Sequence, residues 1–254
     1  MKEFLFLKEL EIHPDWFPFL TMENRKLIES IETEVIKSGF TPSAEKVLRF
    51  FNVPLISAKI TILGQDPYPQ PGVATGRAFE VGNLQSWTQS FQNSSLKNIL
   101  RAIYKAYTGE VILYNQLKTL FYTEFPVLPP GKLFEHWENQ GVLLLNTSFT
   151  CVPGKPGSHK KLWEEFSGRL VNFISENVPY VTWFIWGNHA VRAIENLQLK
   201  RFISTMHPMM SVDVPGRSND FLYGEKNCFE PFINEIDWTG FAFREGRMIQ
   251  GNLF

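Results

Sequence analysis

A chain of 254 residues is long enough for one large α/β domain or two small ones with a sizeable core. Apolar residues make up 44% and charged residues 20%, the balance of a soluble globule, and a net charge of −1 excludes a global basic field, so any nucleic-acid binding rests on a local patch. The two cysteines, Cys151 and Cys228, show neither metal-ligand nor disulfide-framework spacing, no apolar run is long enough to span a membrane, and the N-terminus lacks a cleavable leader pattern, so the chain reads as cytoplasmic.

In chain order, Leu27, Ile28, Ile31 and Val35 recur at helical spacing and Gly39 fits a C-terminal cap, which predicts a helix over 23–38. Lys59–Leu63 reads as the first strand. Ser94 or Ser95 is expected to cap a helix carrying Leu96, Ile99, Leu100 and Ile103. Val142–Leu145 is short and wholly apolar, as in a strand covered on both faces. A helix over 160–176, a strand Tyr180–Trp186, a helix after Asn188 and a strand near Arg201–Thr205 follow, with a last helix expected over Cys228–Glu235. This alternation predicts an α/β fold: a single domain with a central, mainly parallel four-stranded sheet flanked by helices. Ser211–Asp220 reads as a long polar loop, the kind that often carries function. An aromatic content of 15%, with 23 Phe, implies aromatic-rich packing with spare rings able to stack on planar ligands.

Polar residues stand where these strands end. The first strand runs into Gly64-Gln65-Asp66-Pro67-Tyr68, a turn whose Gly and Pro restrict the backbone around a carboxylate. Val142–Leu145 delivers Asn146, the third strand leads into Trp186-Gly187-Asn188-His189, and the fourth delivers His207-Pro208. In a parallel sheet these carboxyl ends share one edge, the place where open α/β sheets bind ligands. An Asn offers donor and acceptor together, which matches the imide edge of a pyrimidine. A His can donate to a carbonyl oxygen that gains negative charge, and an Asp can hold a water or stabilise a developing cation. Taken singly, each also has a plain reading: an Asn ending a strand is a common turn former, and His-Pro is a common loop pair.

Together these motifs resemble the first family of uracil-DNA glycosylases. GQDPY at 64–68 is similar to its water-activating loop, Gly72–Val81 to its base-stacking segment, GVLLLNT at 141–147 to its uracil-reading strand, WGNHA at 186–190 to its Trp-Gly-Ser-His-Ala, and His207-Pro208 to the start of its His-Pro loop. SSLKNIL at 94–100 and IDW at 236–238 match further signposts in family order. The resemblance implies a glycosylase-like domain over 1–240, no metal and no cofactor, action as a monomer, and uracil-containing DNA as partner. It also implies roles. Asp66 orients the attacking water and stabilises the positive sugar, and His207 donates to O2 of the departing base. Asn146 bonds the O4/N3 edge, Phe79 stacks under the ring, the backbone at Gln65 helps hold O2, and Tyr68 crowds C5 to exclude thymine.

The departures matter as much. Pro69 stands where most of the family has a His that helps position the water, and the His-Pro loop reads HPMMSVDVPGRSND. Ser211 occupies the usual Leu wedge position, so Met209 or Met210 either serves as the apolar wedge or packs the loop. Arg217 either grips a phosphate or is a solvated loop residue, and Ser95 either bonds phosphate or caps its helix. Lys160 and Lys161 follow Ser158-His159, which resembles the family's Ser-His segment near the DNA. The tail over 241–254 ends in Gln250-Gly251-Asn252-Leu253-Phe254, which resembles peptides that dock on bacterial sliding clamps. Two other readings stay open: a DNA-binding scaffold with weak or lost turnover, and a glycosylase for another deaminated base.

Overall fold

The computed structural model describes residues 5–241, 243–244 and 247–248. Four strands, β1 (Ile60–Gly64), β2 (Val142–Asn146), β3 (Thr182–Trp186) and β4 (Phe202–Thr205), form one parallel sheet in the order β2-β1-β3-β4, flanked by helices. β1 lies parallel to both neighbours, with Gly64 opposite Asn146 and Ile60 opposite Thr182. Every residue of β1, β2 and β3 is buried, which is why their sequences run apolar without alternation.

The helices are α1 (Met22–Ser38), α2 (Ala44–Val47), α3 (Ser94–Thr108), α4 (Tyr114–Leu120), α5 (Pro130–Asn139), α6 (Lys160–Asn177) and α7 (Gly187–Ile194). In α1 the Thr21 hydroxyl accepts from Asn24 N–H, and Ile28, Ile31 and Val35 face inward, as their spacing predicts. Two expectations need correction. Ser94 and Ser95 do not cap α3: its first intrahelical bond closes on the Asn93 carbonyl, which puts both serines inside the first turn. Over Cys228–Glu235 there is one 3-10 turn, Glu230–Phe232, and no α-helix. Pro231 has no N–H for the ladder, and the Ile233 and Glu235 amides close on carbonyls three residues back.

The internal contacts group the chain into two compact units. The first takes the chain up to Asn83, Gly141–Ile185 and His189–Phe202; the second takes Leu84–Gln140, Trp186–Asn188 and the chain from Ile203. The core of the first is an aromatic lattice in which Phe149, Trp163 and Phe166 meet edge to face, with ring centroids 5.1 to 5.6 Å apart. In the second, Trp87, Phe121, Trp137, Phe229 and Trp238 are buried, and the indole N–H groups of Trp87 and Trp137 donate to the carbonyls of Leu128 and Trp238. The Phe-rich composition therefore goes mostly into packing. Near the C-terminus β5 (Phe243–Arg244) pairs antiparallel with β6 (Arg247–Met248), and the clamp-like peptide Gln250–Phe254 lies outside the described residues. Among the described residues no helix is long and apolar enough to cross a membrane.

Candidate active site

The first unit brings Gln65, Asp66, Tyr68, Phe79 and Asn146 to the carboxyl ends of β1 and β2. Gly64 ends β1 directly opposite Asn146, and a Cβ on Gly64 would stand 2.4 Å from Asn146 Oδ1. Only glycine lets the Asn146 carboxamide lie across the neighbouring strand end, so the first residue of the GQDPY turn has a steric reason. The turn is then pinned to the chain leaving β2: Thr147 N–H donates to the Gly64 carbonyl at 3.1 Å, and Ser148 N–H and Thr147 Oγ1 donate to the Gln65 carbonyl at 2.9 and 3.0 Å.

Asp66 is half-buried, and its Oδ2 accepts the Gly157 N–H at 2.8 Å. Burial pushes its carboxyl above the ordinary Asp range, and the hydrogen bonds from Gly157 and the Gln65 side chain only partly offset that. The Cys151 thiol, pushed up to about 11 by burial and then by the Asp66 charge, reports the same carboxylate from the segment after β2. Asp66 is thus an oriented, poorly solvated carboxyl group.

Phe79 is the one non-glycine residue with a left-handed backbone among the described residues, at φ 64°. A bulky side chain adopts that region only when its surroundings impose it. Here Ala78 N–H donates to the Leu144 carbonyl of β2 at 3.3 Å, and Arg77 and Glu80 form a buried ion pair at 3.2 Å on either side of the residue. Gly76, at φ 87°, passes so close to helix α2 that a Cβ would stand 2.0 Å from the Lys46 carbonyl. The hydroxyl of half-buried Tyr68 donates to the Phe79 carbonyl at 3.5 Å.

The second unit holds the remaining predicted site residues: His207, Ser95, Met209, Met210, Ser211 and Arg217. His207 is half-buried; its Nδ1 accepts from Met209 N–H at 3.2 Å, so the neutral ring carries its proton on Nε2. Burial lowers the His207 pKa, which keeps the ring neutral. Gly187, at φ 83°, admits it: a Cβ there would stand 2.8 Å from His207 Cβ. Helix α3 holds the base of the following loop. Asn98 donates to the Pro208 carbonyl at 2.8 Å, Arg101 to the Tyr223 hydroxyl at 2.8 Å, and Lys105 to the carbonyls of Leu222 and Gly224 at 3.0 and 3.1 Å. Inside the loop, fully buried Asp220 accepts three backbone N–H groups, which outweigh burial and hold its carboxyl below the usual range.

The tip of the loop is open. Met209 and Met210 are 60% and 52% exposed, so they do not pack the loop interior. Val212 and Val214, further along the loop, are exposed as well, which single-position comparison with a Leu wedge missed. Arg217 reaches back across its own loop toward the Met210 carbonyl at 3.5 Å and Asp220 at 3.9 Å. Ser95 is half-buried in the first turn of α3.

Sequence reasoning also missed Gly157, whose contribution is a backbone N–H, and the Thr147–His189 pair at 2.7 Å. His189 stood in a recognised motif without a role. The pair borders a polar cavity of about 410 Å³ lined by Lys160 and Ser167 of α6 and Arg192 of α7.

A family model described as the uracil DNA glycosylase superfamily matches residues 50–234. Uracil-DNA glycosylase 1 of Listeria monocytogenes is 30% identical over 88% of this chain and 96% of its own. Uracil-DNA glycosylase of Azobacteroides pseudotrichonymphae is 31% identical over 90% of this chain and 94% of its own. Among solved structures, the wild-type UNG of Nitratifractor salsuginis shares the fold, with TM-score 0.65 and 22% identity over 80% of this chain and 87% of that one. Mimivirus uracil-DNA glycosylase gives TM-score 0.58 and 25% identity over 80% of this chain and 71% of that one. With the family model spanning most of its length and relatives aligned nearly end to end, this chain belongs to the uracil DNA glycosylase superfamily.

Proposed function

We propose that this chain hydrolyses the N-glycosidic bond of uracil in DNA, releasing the free base and leaving an abasic site for base-excision repair. The observation that carries the reading is the paired exit of β1 and β2, with Asp66 as a desolvated, oriented carboxylate two residues beyond a glycine and Asn146 laid across that glycine. A base inside a duplex is out of reach, so the nucleotide must be extruded, which costs less for a mispaired uracil.

Cleavage builds positive charge on the sugar and negative charge on the base, as in glycoside hydrolysis. In this reading Asp66 meets the first charge and orders the water, and the Nε2–H of neutral His207 meets the second at O2. Asn146 distinguishes uracil from cytosine because the two bases exchange donor for acceptor at the edge it reads. Phe79 stacks under the ring, the backbone at Gln65 holds O2, and Tyr68 crowds the position of the thymine methyl. The exposed Met209 and Met210, beside Ser211 at the wedge position, fill the space of the extruded base, and Ser95 and Arg217 meet the DNA backbone.

The test is incubation with matched uracil- and thymine-containing oligonucleotides in chelator, followed by alkaline cleavage. Strand breaks with uracil alone support the reading; none with uracil, or equal breaks with thymine, overturn it. Pro69, in place of the family's usual water-positioning His, favours one second reading, a DNA-binding scaffold with weak turnover. Tight binding without breaks would select it. We further propose that Gln250–Phe254 docks on a sliding clamp, with the protein acting as a cytoplasmic monomer. Removing Leu253 and Phe254 should abolish clamp binding and spare cleavage of short DNA.

A further inference from the structure

We propose that His159 is a positioning residue for Asp66, acting through the loop that carries the Gly157 N–H; the proposal rests on the reading of Asp66 given above. His159 lies in the segment expected near DNA, yet it is only 3% exposed, and its ring points inward. Both ring nitrogens are bonded to hydroxyls: Nε2 to Ser38 Oγ at the end of α1, and Nδ1 to Thr150 Oγ1, each at 2.9 Å.

The direction of each bond follows from the partners. Ser38 Oγ spends its one proton on the Val35 carbonyl, so it accepts from His159 Nε2, and Nδ1 of the neutral ring is left to accept from Thr150 Oγ1, which itself accepts the Trp163 indole N–H at 2.7 Å. The ring then carries its proton on Nε2 and donates it to Ser38 Oγ, whose hydroxyl donates to the Val35 carbonyl at 3.2 Å. The chain of donors is complete only for a neutral ring, and burial lowers the His159 pKa in agreement.

What this pins is the stretch between β2 and α6. Ser158 Oγ accepts Val152 N–H at 2.8 Å, Gly154 N–H donates to the Pro69 carbonyl at 2.9 Å, and Gly157 N–H reaches Asp66 Oδ2 at 2.8 Å. His159 follows Gly157 by two residues and is the side chain that anchors this loop to α1 and to the core. Gly157 itself, at φ 73°, has no side chain with which to hold its place. Around Asp66 the other neighbours are the uncharged Gln65 side chain and the Cys151 thiol, neutral at working pH. The Gly157 N–H is therefore the main-chain donor on that carboxylate, beside the Gln65 side chain, and its position depends on how the loop is held.

The experiment compares wild type with Ser38→Ala, Ser38→Thr and His159→Gln, each checked by thermal melting and assayed well below its melting temperature. Removing the anchor should lower kcat about tenfold or more with KM unchanged, the signature of a misplaced catalytic group. Ser38→Thr keeps the hydroxyl and should restore wild-type kcat. Independently of activity, the Gly157 amide resonance should titrate with the Asp66 carboxyl in wild type and lose that coupling in Ser38→Ala and His159→Gln. Unchanged kcat with only a lower melting temperature, or a Gly157 amide that tracks Asp66 equally in all variants, overturns the proposal. A wild type that cleaves no uracil defeats the functional reading, and the amide titration still decides the positioning role.

Discussion

Asp66 sits on a turn whose carbonyls are tied to the chain leaving β2, beside a strained Phe79 and a glycine that a single methyl group would spoil. Met209 and Met210 sit on a loop that α3 grips at its base and leaves open at its tip. The first region spends stability on a desolvated charge and an unfavourable backbone; the second keeps apolar side chains in water. Each is unfavourable in the free protein, and under the proposed function each suits a different demand: charges held still during bond cleavage, and apolar surface ready for a gap in a base stack. On that reading, rigidity is concentrated where charge develops and exposure where a partner must be entered.

That contrast can be broken at several points. Asp66→Asn should reduce uracil release by about a thousandfold, because the sugar cation loses its counter-charge and the water its acceptor. It should also melt no lower than wild type: the folded-state pKa of Asp66 is raised, so its ionised form costs stability at neutral pH, and an amide oxygen can still accept the Gly157 N–H. Single-turnover rates and a melting curve check both halves. His207→Ala should cost about a hundredfold in the same assay. Gly64→Ala should follow at about tenfold to a hundredfold, since the new methyl displaces Asn146 Oδ1; loss of discrimination against cytosine would accompany it. The smallest effect belongs to the open loop. Replacing Met209 and Met210 together by Ala should weaken duplex binding about tenfold, with release from single-stranded DNA unchanged and melting unaffected.

Acid adds a stability prediction. His159 and His207 both sit below the ordinary value of 6.5 because burial disfavours the imidazolium. As pH falls from 6.5 toward those lower values, the unfolded chain takes up protons that the folded chain refuses, so melting temperature should drop through that window. His159→Gln should flatten the drop.

The strands and long helices were legible because each segment's own pattern decides them: β1 and β2 are apolar throughout and α1 repeats at 3.6 residues. The GQDPY turn, Phe79 and Asn146 were legible as motifs, but their geometry was not. That Gly64 exists for Asn146, or that Gly76 passes against the Lys46 carbonyl, depends on residues distant in the chain meeting in space. Gly157 acts through a backbone N–H, which every residue but proline has, and no sequence pattern marks it out. The expected helix at Cys228–Glu235 failed for a local reason: its apolar residues suited a helix, but Pro231 removed a donor. For Met209 and Met210 the sequence leaves wedge and loop packing equally open, and only their solvent exposure, shared by Val212 and Val214, speaks against packing.

The central claim is that Asp66 acts as a carboxylate whose surroundings raise its pKa. The most direct measurement is the pH dependence of single-turnover uracil release set beside a spectroscopic titration of the Asp66 carboxyl. The account predicts that the rate falls on acidification with the same midpoint as that carboxyl, above the ordinary Asp value of 3.8. A rate that stays flat while Asp66 takes up its proton would contradict it.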